Sequence, residues 1–565
     1  MVVMSYREFM ENVKKRLNKM TKNEMEELIL HWAEKEHNSR REFFINRLSP
    51  PVEPIITETD SEELLDEIEA LAKRVENGDY CDGWGWDDDI YEERDWGDES
   101  WVGEADDYFM KARELLINGY YEQATIAYRR LFEIMEMGEE PGHLPGDLNS
   151  YDMLKVDFAE QVNLYLRAIY MNSPSPERLL RLFKTMNRYS CLSENIGLKD
   201  MINVLDSDLP DLNDFLTDWI TYLKEQNNFS LSKLLREAVA IKGGISGISE
   251  LARQHADRYP RAFLDWIIAL EKEGKEDSVL SVAREGLATI PKDYQVRAEV
   301  AEIISRLGEE LNDSKMKLEG YMESFYSNPS TDHLLNLYTT ALECDCFESM
   351  QDRVEQRVWE LFREGLMQEY NYYDSELSLS YLAKGVLYRT LVLGGKYIEL
   401  FELCKGNGPL GWTDGNNPKP YFIIFTMVLL SSSGKNSTMI NKLWDSLLTG
   451  SIYEIDKKNE QANAYKKIID YTSKYVQLNE EQEAYYLKWC IEQIGKRVDK
   501  IIGNKYRNSY NKAADLLLAM AETLKNRGEA DNAAALILKY RKKYPKHSAF
   551  KRELARSMQE SGAFE

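Results

Sequence analysis

Cys344 and Cys346, with His333 a little upstream, come closest to a metal-ligand set. Tetrahedral zinc needs four Cys or His ligands at local spacings. This group supplies three, so its cysteines are expected to pack as small hydrophobes. His31 and His37 lie six apart, whereas ligands on one helix face follow i, i+4 spacing. They read as surface and packing residues. Between Asp82 and Asp98 hard oxygen ligands abound, but the Asp-x-Asp-x-Asp-Gly order of a calcium loop with its closing glutamate is not met. A solvated acidic loop is expected there; the sharper alternative is an element that folds over a basic groove or grips a partner.

Gly406-Asn407-Gly408-Pro409-Leu410-Gly411 has the spacing of a dinucleotide fingerprint. That chemistry requires a strand before it and a helix N-terminus after it, and here helical periodicity precedes and loop composition follows. Gly243-Gly244-Ile245-Ser246-Gly247 fails the Gly-x-Ser-x-Gly spacing of a nucleophile elbow and reads as a turn between helices. Leu393-Gly394-Gly395-Lys396 is too short for a phosphate loop. With 97 acidic residues, carboxylate pairs arise by chance and mark no general acid or base. The expectation is no catalytic residue, no metal and no cofactor: not an enzyme.

One charged region invites a binding role. Arg541, Lys542, Lys543, Lys546, His547, Lys551 and Arg552 cluster, and Tyr506, Tyr510, Tyr540 and Tyr544 interleave with the basic residues of this region, a combination that suits a nucleic-acid strand. Cations near a helix C-terminus also offset its dipole, and they can pair with the chain's own acidic surface. From Lys496 to Arg556 there are 16 Lys or Arg against 6 Asp or Glu. The whole chain carries −26, which leaves the remainder at −36 and repels a phosphate backbone everywhere else.

A chain of 565 residues exceeds the usual size of a single core, so several domains or an open array of repeats is expected. Its 43% hydrophobic content is ample for folding. Six scattered cysteines and an N-terminus that enters a charged amphipathic pattern at once predict a reducing, cytoplasmic location. The longest apolar run, Tyr421 to Leu430, is half the length of a membrane span and reads as a buried helix.

Ser5 to Leu48 shows helical spacing in three short stretches that Ser49-Pro50-Pro51 stops. Asp60 and Glu63 form a capping box ahead of Leu64, Leu65, Ile68, Leu71 and Ala72. Gly78 to Glu104 collapses into Asp, Glu, Gly and Trp and predicts a boundary loop, with some of its four tryptophans docked on a neighbouring surface. Beyond it a hairpin pattern recurs. Gly119, Gly274, Gly395 and Gly528 each follow one helix and precede another with small or apolar residues at fixed offsets, and Pro291 and Pro545 close two of the units. Glycine supplies a left-handed turn between antiparallel helices, and a small residue allows their close approach.

These units, most fully Tyr108, Ala112, Leu115, Gly119, Tyr121, Ala124, Tyr128 and Leu131, resemble tetratricopeptide repeats. The stretches Arg497 to Asn504, Lys512 to Leu517 and Tyr544 to Phe550 are similar to the helical tail of prokaryotic SWIM zinc-finger proteins, and Asp208 to Trp219 with Leu234 to Ala238 resembles their middle, which implies a likeness over most of Glu104 to Leu554. The finger itself is missing. Cys344-x-Cys346 has no later Cys-x-His, because Gly406 and Glu492 stand two places after Cys404 and Cys490, so zinc and a finger-borne nucleic-acid role do not carry over.

The expected fold is all-α: a right-handed α-solenoid of degenerate tetratricopeptide-like hairpins with a small N-terminal helical region. Its segments are 1–77 (N-terminal helices), 78–104 (acidic loop), 105–258 (helical repeats), 259–410 (tetratricopeptide-like repeats), 411–495 (helical) and 496–565 (basic hairpin and tail). The expected function is a non-catalytic, protein-binding scaffold or adaptor whose repeat groove takes a peptide or helix, with Tyr108, Asn118, Tyr121 and Tyr128 as contact candidates, though Tyr121 and Tyr128 especially read more readily as packing residues of the hairpin. The alternative is a nucleic-acid-associated accessory protein using Arg541, Lys542, Lys543, Lys546, Lys551 and Arg552. No membrane partner is expected.

Overall fold

A computed structural model of the chain describes residues 15–35, 58–87, 92–146, 149–189, 193, 195–226, 231–367, 377–405, 408–411, 416–431, 437–449, 452 and 454–564. Helix dominates them, and the sheet they contain is a two-stranded hairpin. The fold is all-α. Among the described residues no helix is long and apolar enough to cross a membrane. The chain divides into two compact units, Met1–Gly247 and Ile248–Glu565.

In the first unit, α1 (Lys22–Glu34) opens on a capping box: the Thr21 hydroxyl accepts from the Glu24 amide while the Glu24 carboxylate accepts from the Thr21 amide. The rest of the three helices expected from Ser5 to Leu48 lies outside the described residues. Helix α2 (Glu58–Glu76) starts two residues before Asp60, so Asp60 falls inside the first turn rather than at the cap. Its buried stripe of Leu64, Ile68, Leu71, Ala72 and Val75 has the helical period.

The acidic loop predicted over 78–104 is corrected by the structure. Strands β1 (Cys81–Asp87) and β2 (Glu92–Gly97) pair as an antiparallel hairpin, and α3 (Trp101–Ile117) begins before the predicted boundary. The signal is period-two alternation in Gly83-Trp84-Gly85-Trp86. The glycines leave room for the cross-strand indole: Trp96 pairs with Gly83, and a Cβ on Gly85 would stand 3.6 Å from its Nε1.

Helix α3 turns at Gly119 (φ +87°) into α4 (Tyr121–Gly138). The two meet through Phe109, Tyr128 and Phe132, with Phe109 and Phe132 centroids 5.4 Å apart, and α2 packs across them. Next come α5 (Ser150–Met153), α6 (Phe158–Asn172), α7 (Ser175–Tyr189), α8 (Leu198–Asn203), α9 (Leu212–Glu225) and α10 (Ser232–Gln254), whose residues from Ile248 onward belong to the second unit. Gly244 (φ 55°, ψ −147°) breaks α10, where the sequence predicts a turn. Buried Arg167 donates to the carbonyls of Met201, Ile202 and Ser207, tying α6 to the end of α8.

The second unit is a run of helix pairs: α11 (Ala262–Lys272) with α12 (Glu276–Thr289), α13 (Val296–Glu310) with α14 (Ser314–Ser327), α15 (Thr331–Glu343) with α16 (Phe347–Arg363), and α17 (Lys384–Leu393) with α18 (Tyr397–Lys405). Gly274 and Gly395 adopt φ +68° and +70° at their turns. Asn312 and Asp345, at φ +53° and +52°, make the same bend in the pairs whose turn lacks glycine; their short polar side chains tolerate the left-handed region. Then follow α19 (Lys419–Leu430), almost wholly buried as predicted for the Tyr421–Leu430 run, α20 (Thr438–Leu448), α21 (Ile455–Thr472), α22 (Glu480–Gly503), α23 (Tyr510–Asn526), α24 (Ala530–Lys543) and α25 (Ser548–Ser561). Gly528 (φ +87°) joins α23 to α24.

Helix α21 packs back on α15 and α17. Its buried Gln461, Tyr465, Ile468, Ile469 and Thr472 form one stripe, and the Thr472 hydroxyl donates to the Leu393 carbonyl at 2.7 Å.

Candidate protein-interaction sites

The four predicted contact residues of the first hairpin do not form one surface. Tyr128 is fully buried (0% exposed) among Phe109, Phe132 and Tyr165, which removes it as a contact and agrees with the packing alternative: its hydroxyl points toward Gln161, and it serves the core. Tyr108 is half-buried beside α2, with Lys111 over its ring at 5.3 Å and Lys111 paired to Glu67 at 2.9 Å. Burial, with the charges of Glu67 and Glu104, raises the Tyr108 phenol above its ordinary value. Asn118 is exposed, but its amide closes on its own helix at the Glu114 carbonyl. Tyr121 is half-buried at the start of α4.

The basic C-terminal residues lie on α24, α25 and the turn between them. Lys543 is taken up by Asp499 at 2.7 Å, whereas Arg541, Lys542, Lys546, Lys551 and Arg552 pair with no described carboxylate. Arg541 and Lys551 line one pocket of about 490 Å³ with Leu554, Met558 and Phe564. Tyr540 is buried with Tyr544 stacked beside it, and the Tyr544 hydroxyl donates to Asp499, so these two aromatics are engaged in packing.

Cys344 and Cys346 cap the two ends of the turn between α15 and α16. His333 is held elsewhere: Nδ1 lies 2.7 Å from the Asn328 carbonyl and Nε2 2.7 Å from Glu302 of α13. Among the described residues no group of three or more His, Cys, Asp or Glu could hold a metal ion. His31 is exposed on α1; His37, Cys191 and the first two residues of the Gly406–Gly411 fingerprint, Gly406 and Asn407, lie outside the described residues.

The residues that do converge were not singled out from sequence. Helices α14, α15 and α21 enclose a cleft of about 710 Å³. Its apolar lining includes Leu335, Ala464 and Tyr321, with Asn336, Thr339 and Asn463 among the polar groups. The charges around it are organised. Lys317 pairs with Glu309 (3.5 Å), Lys457 with Asp332 (3.0 Å) and Lys467 with Glu343 (3.0 Å), so lysines of α21 dock on carboxylates of α15. Glu454, Asp456 and Glu460 also line the cleft and have no ion pair among the described residues. Below it, α21 is anchored by Tyr465, whose hydroxyl accepts from Arg389 Nε at 2.9 Å. Burial pulls the Arg389 guanidinium down, but the Tyr465 and Tyr421 phenols outweigh it and keep the cation above its ordinary value. No protein-family model matches this chain, and no curated protein matches its sequence.

Proposed function

We propose that the chain is a non-catalytic scaffold or adaptor that takes a segment of a protein partner into the cleft between α14, α15 and α21. The helix pairs are read as degenerate tetratricopeptide-like units of a right-handed α-solenoid, and the site as lying in the cytoplasm. The observation that supports this is the cleft itself: large enough for several side chains, partly apolar in its lining, rimmed by charge, and built from helices that are well packed behind it. Asn336 and Asn463 are exposed in its wall. Replacing both with arginine fills the cleft and leaves the core untouched. Affinity purification of the full chain followed by mass spectrometry is the test. A stoichiometric protein recovered with the natural sequence and lost with Asn336→Arg/Asn463→Arg is expected; recovery of the bare chain from both counts against the proposal.

The five cations of α24, α25 and the turn between them that pair with no described carboxylate favour a second reading, a nucleic-acid-associated accessory protein. Retention on single- and double-stranded DNA and RNA at two salt concentrations decides it, since phosphate contacts weaken steeply with salt. An absence of salt-sensitive retention removes this reading.

A further inference from the structure

Trp101, Trp219, Trp266 and Trp444 are buried in helical packing, but Trp84 and Trp86 are 58% and 57% exposed on the hairpin. They stand two residues apart on β1 and therefore on one face of it. Among the described residues no ring or cation stacks on either. The hairpin is not a loose tail. Its stem is closed where the Asp98 amide donates to the Tyr80 carbonyl (2.9 Å), and it is tied to the helical body where Asp95 accepts from the Gly142 amide. A Cβ on Gly97 would stand 1.9 Å from the Tyr80 oxygen, so the strand passes this point only as glycine. The two indoles are thus presented from a fixed stem, about 7 Å apart along the strand.

The charge of the segment indicates what covers them. Between Cys81 and Glu99 there are nine Asp or Glu and a single basic residue, Arg94. An uncharged apolar partner would bury carboxylates to reach the indoles, at a desolvation cost. A basic partner meets two favourable terms at once: attraction to the carboxylates and attraction of its cations to the negative faces of the rings. In an extended chain, alternate side chains share a face at the same spacing as Trp84 and Trp86.

We propose that the β1–β2 hairpin docks an extended lysine- and arginine-rich segment of a protein partner, with basic side chains at alternate positions stacking on Trp84 and Trp86. This surface uses residues other than the cleft and does not depend on it. The test is a titration of the full chain with a fluorescently labelled peptide of alternating arginine and threonine, followed by anisotropy, beside the double variant Trp84→Ala/Trp86→Ala. Both indoles are exposed, so circular dichroism of the variant should match the natural chain. Binding is expected to weaken at least about tenfold in the variant, from loss of two cation–π contacts. It should recover in part in Trp84→Phe/Trp86→Phe.

Equal binding by the alanine variant would overturn the proposal, because the chain's net charge of −26 alone would then account for the attraction. Equal binding of a serine–threonine peptide would overturn it as well. So would a concentration-dependent dimer abolished by the alanine variant, which would make a second copy of the chain the occupant.

Discussion

Gly320→Ala adds one methyl where two helices touch backbone to backbone. Helices α13 and α14 meet through small residues: Ala301, Ser305 and Gly308 on one, Gly320, Ser324 and Ser327 on the other. A Cβ on Gly320 would lie 2.5 Å from the Ser305 nitrogen and 2.7 Å from the Ala301 oxygen, and one on Gly308 2.5 Å from the Lys317 nitrogen. The obstacle is backbone, so no rotamer change relieves it. To reach ordinary contact the helices must part by about 1 Å, which forfeits roughly half of the dispersion energy of each atom pair across the seam. Overpacking of this kind costs about 3 kcal/mol, and the better helix propensity of alanine returns about 1 kcal/mol, leaving a net loss of about 2 kcal/mol. Gly103→Ala is the control: it lies in the first turn of α3 with nothing within 4 Å of its Cβ, and should be neutral or slightly stabilising. In a chain of two compact units a single unfolding midpoint is not well defined. Native-state hydrogen exchange over 296–310 and 314–327 is therefore the assay, with a roughly thirtyfold loss of protection expected for about 2 kcal/mol. Unchanged or increased protection in Gly320→Ala would refute the reasoning. Because α14 carries Tyr321 into the cleft, partner capture should fall with it.

Tyr465→Phe removes the hydroxyl that accepts from half-buried Arg389 and should cost about 2 kcal/mol, the loss of a charge-assisted bond, seen as faster exchange across α21. At His333, burial disfavours the imidazolium, but the Glu302 and Asn328 bonds and the charges of Glu302 and Asp332 outweigh it, so the folded pKa is raised. A raised histidine stabilises fully below its unfolded pKa and loses that contribution as pH rises through the folded value. The stability gap between the natural chain and Glu302→Gln should therefore be wider at about pH 5.5 than at about pH 8.5, by under about 1 kcal/mol since Glu302 is half-exposed; a gap independent of pH counts against it. Burial pushes the Cys404 thiol up to about 12 and holds the Cys490 thiol far above its usual range, so both should resist iodoacetamide until the chain unfolds, as read by mass spectrometry.

Local signals determined much of this protein. Glycine at 119, 274, 395 and 528 announces left-handed turns because other side chains rarely adopt that backbone, and each of the four has positive φ. The apolar run Tyr421–Leu430 implies a helix buried on every side, since polar neighbours would interrupt it otherwise. Asn312 and Asp345 make the same turn less visibly, because those residues occur in many other settings.

Tertiary structure decided the rest. Tyr128 follows the repeat pattern, yet the pattern does not say whether a ring faces a groove or the core, and packing against Phe109, Phe132 and Tyr165 settled it. The β1–β2 hairpin depends on a cross-strand register that seats Trp96 over Gly83 and Gly85, a pairing that composition does not encode. The cleft depends on α21 returning more than a hundred residues along the chain to lay Lys457 and Lys467 against Asp332 and Glu343. Helical period specifies which face of α21 is buried; the identity of its partner follows from where the intervening helices deliver it, and that is a property of the folded chain alone.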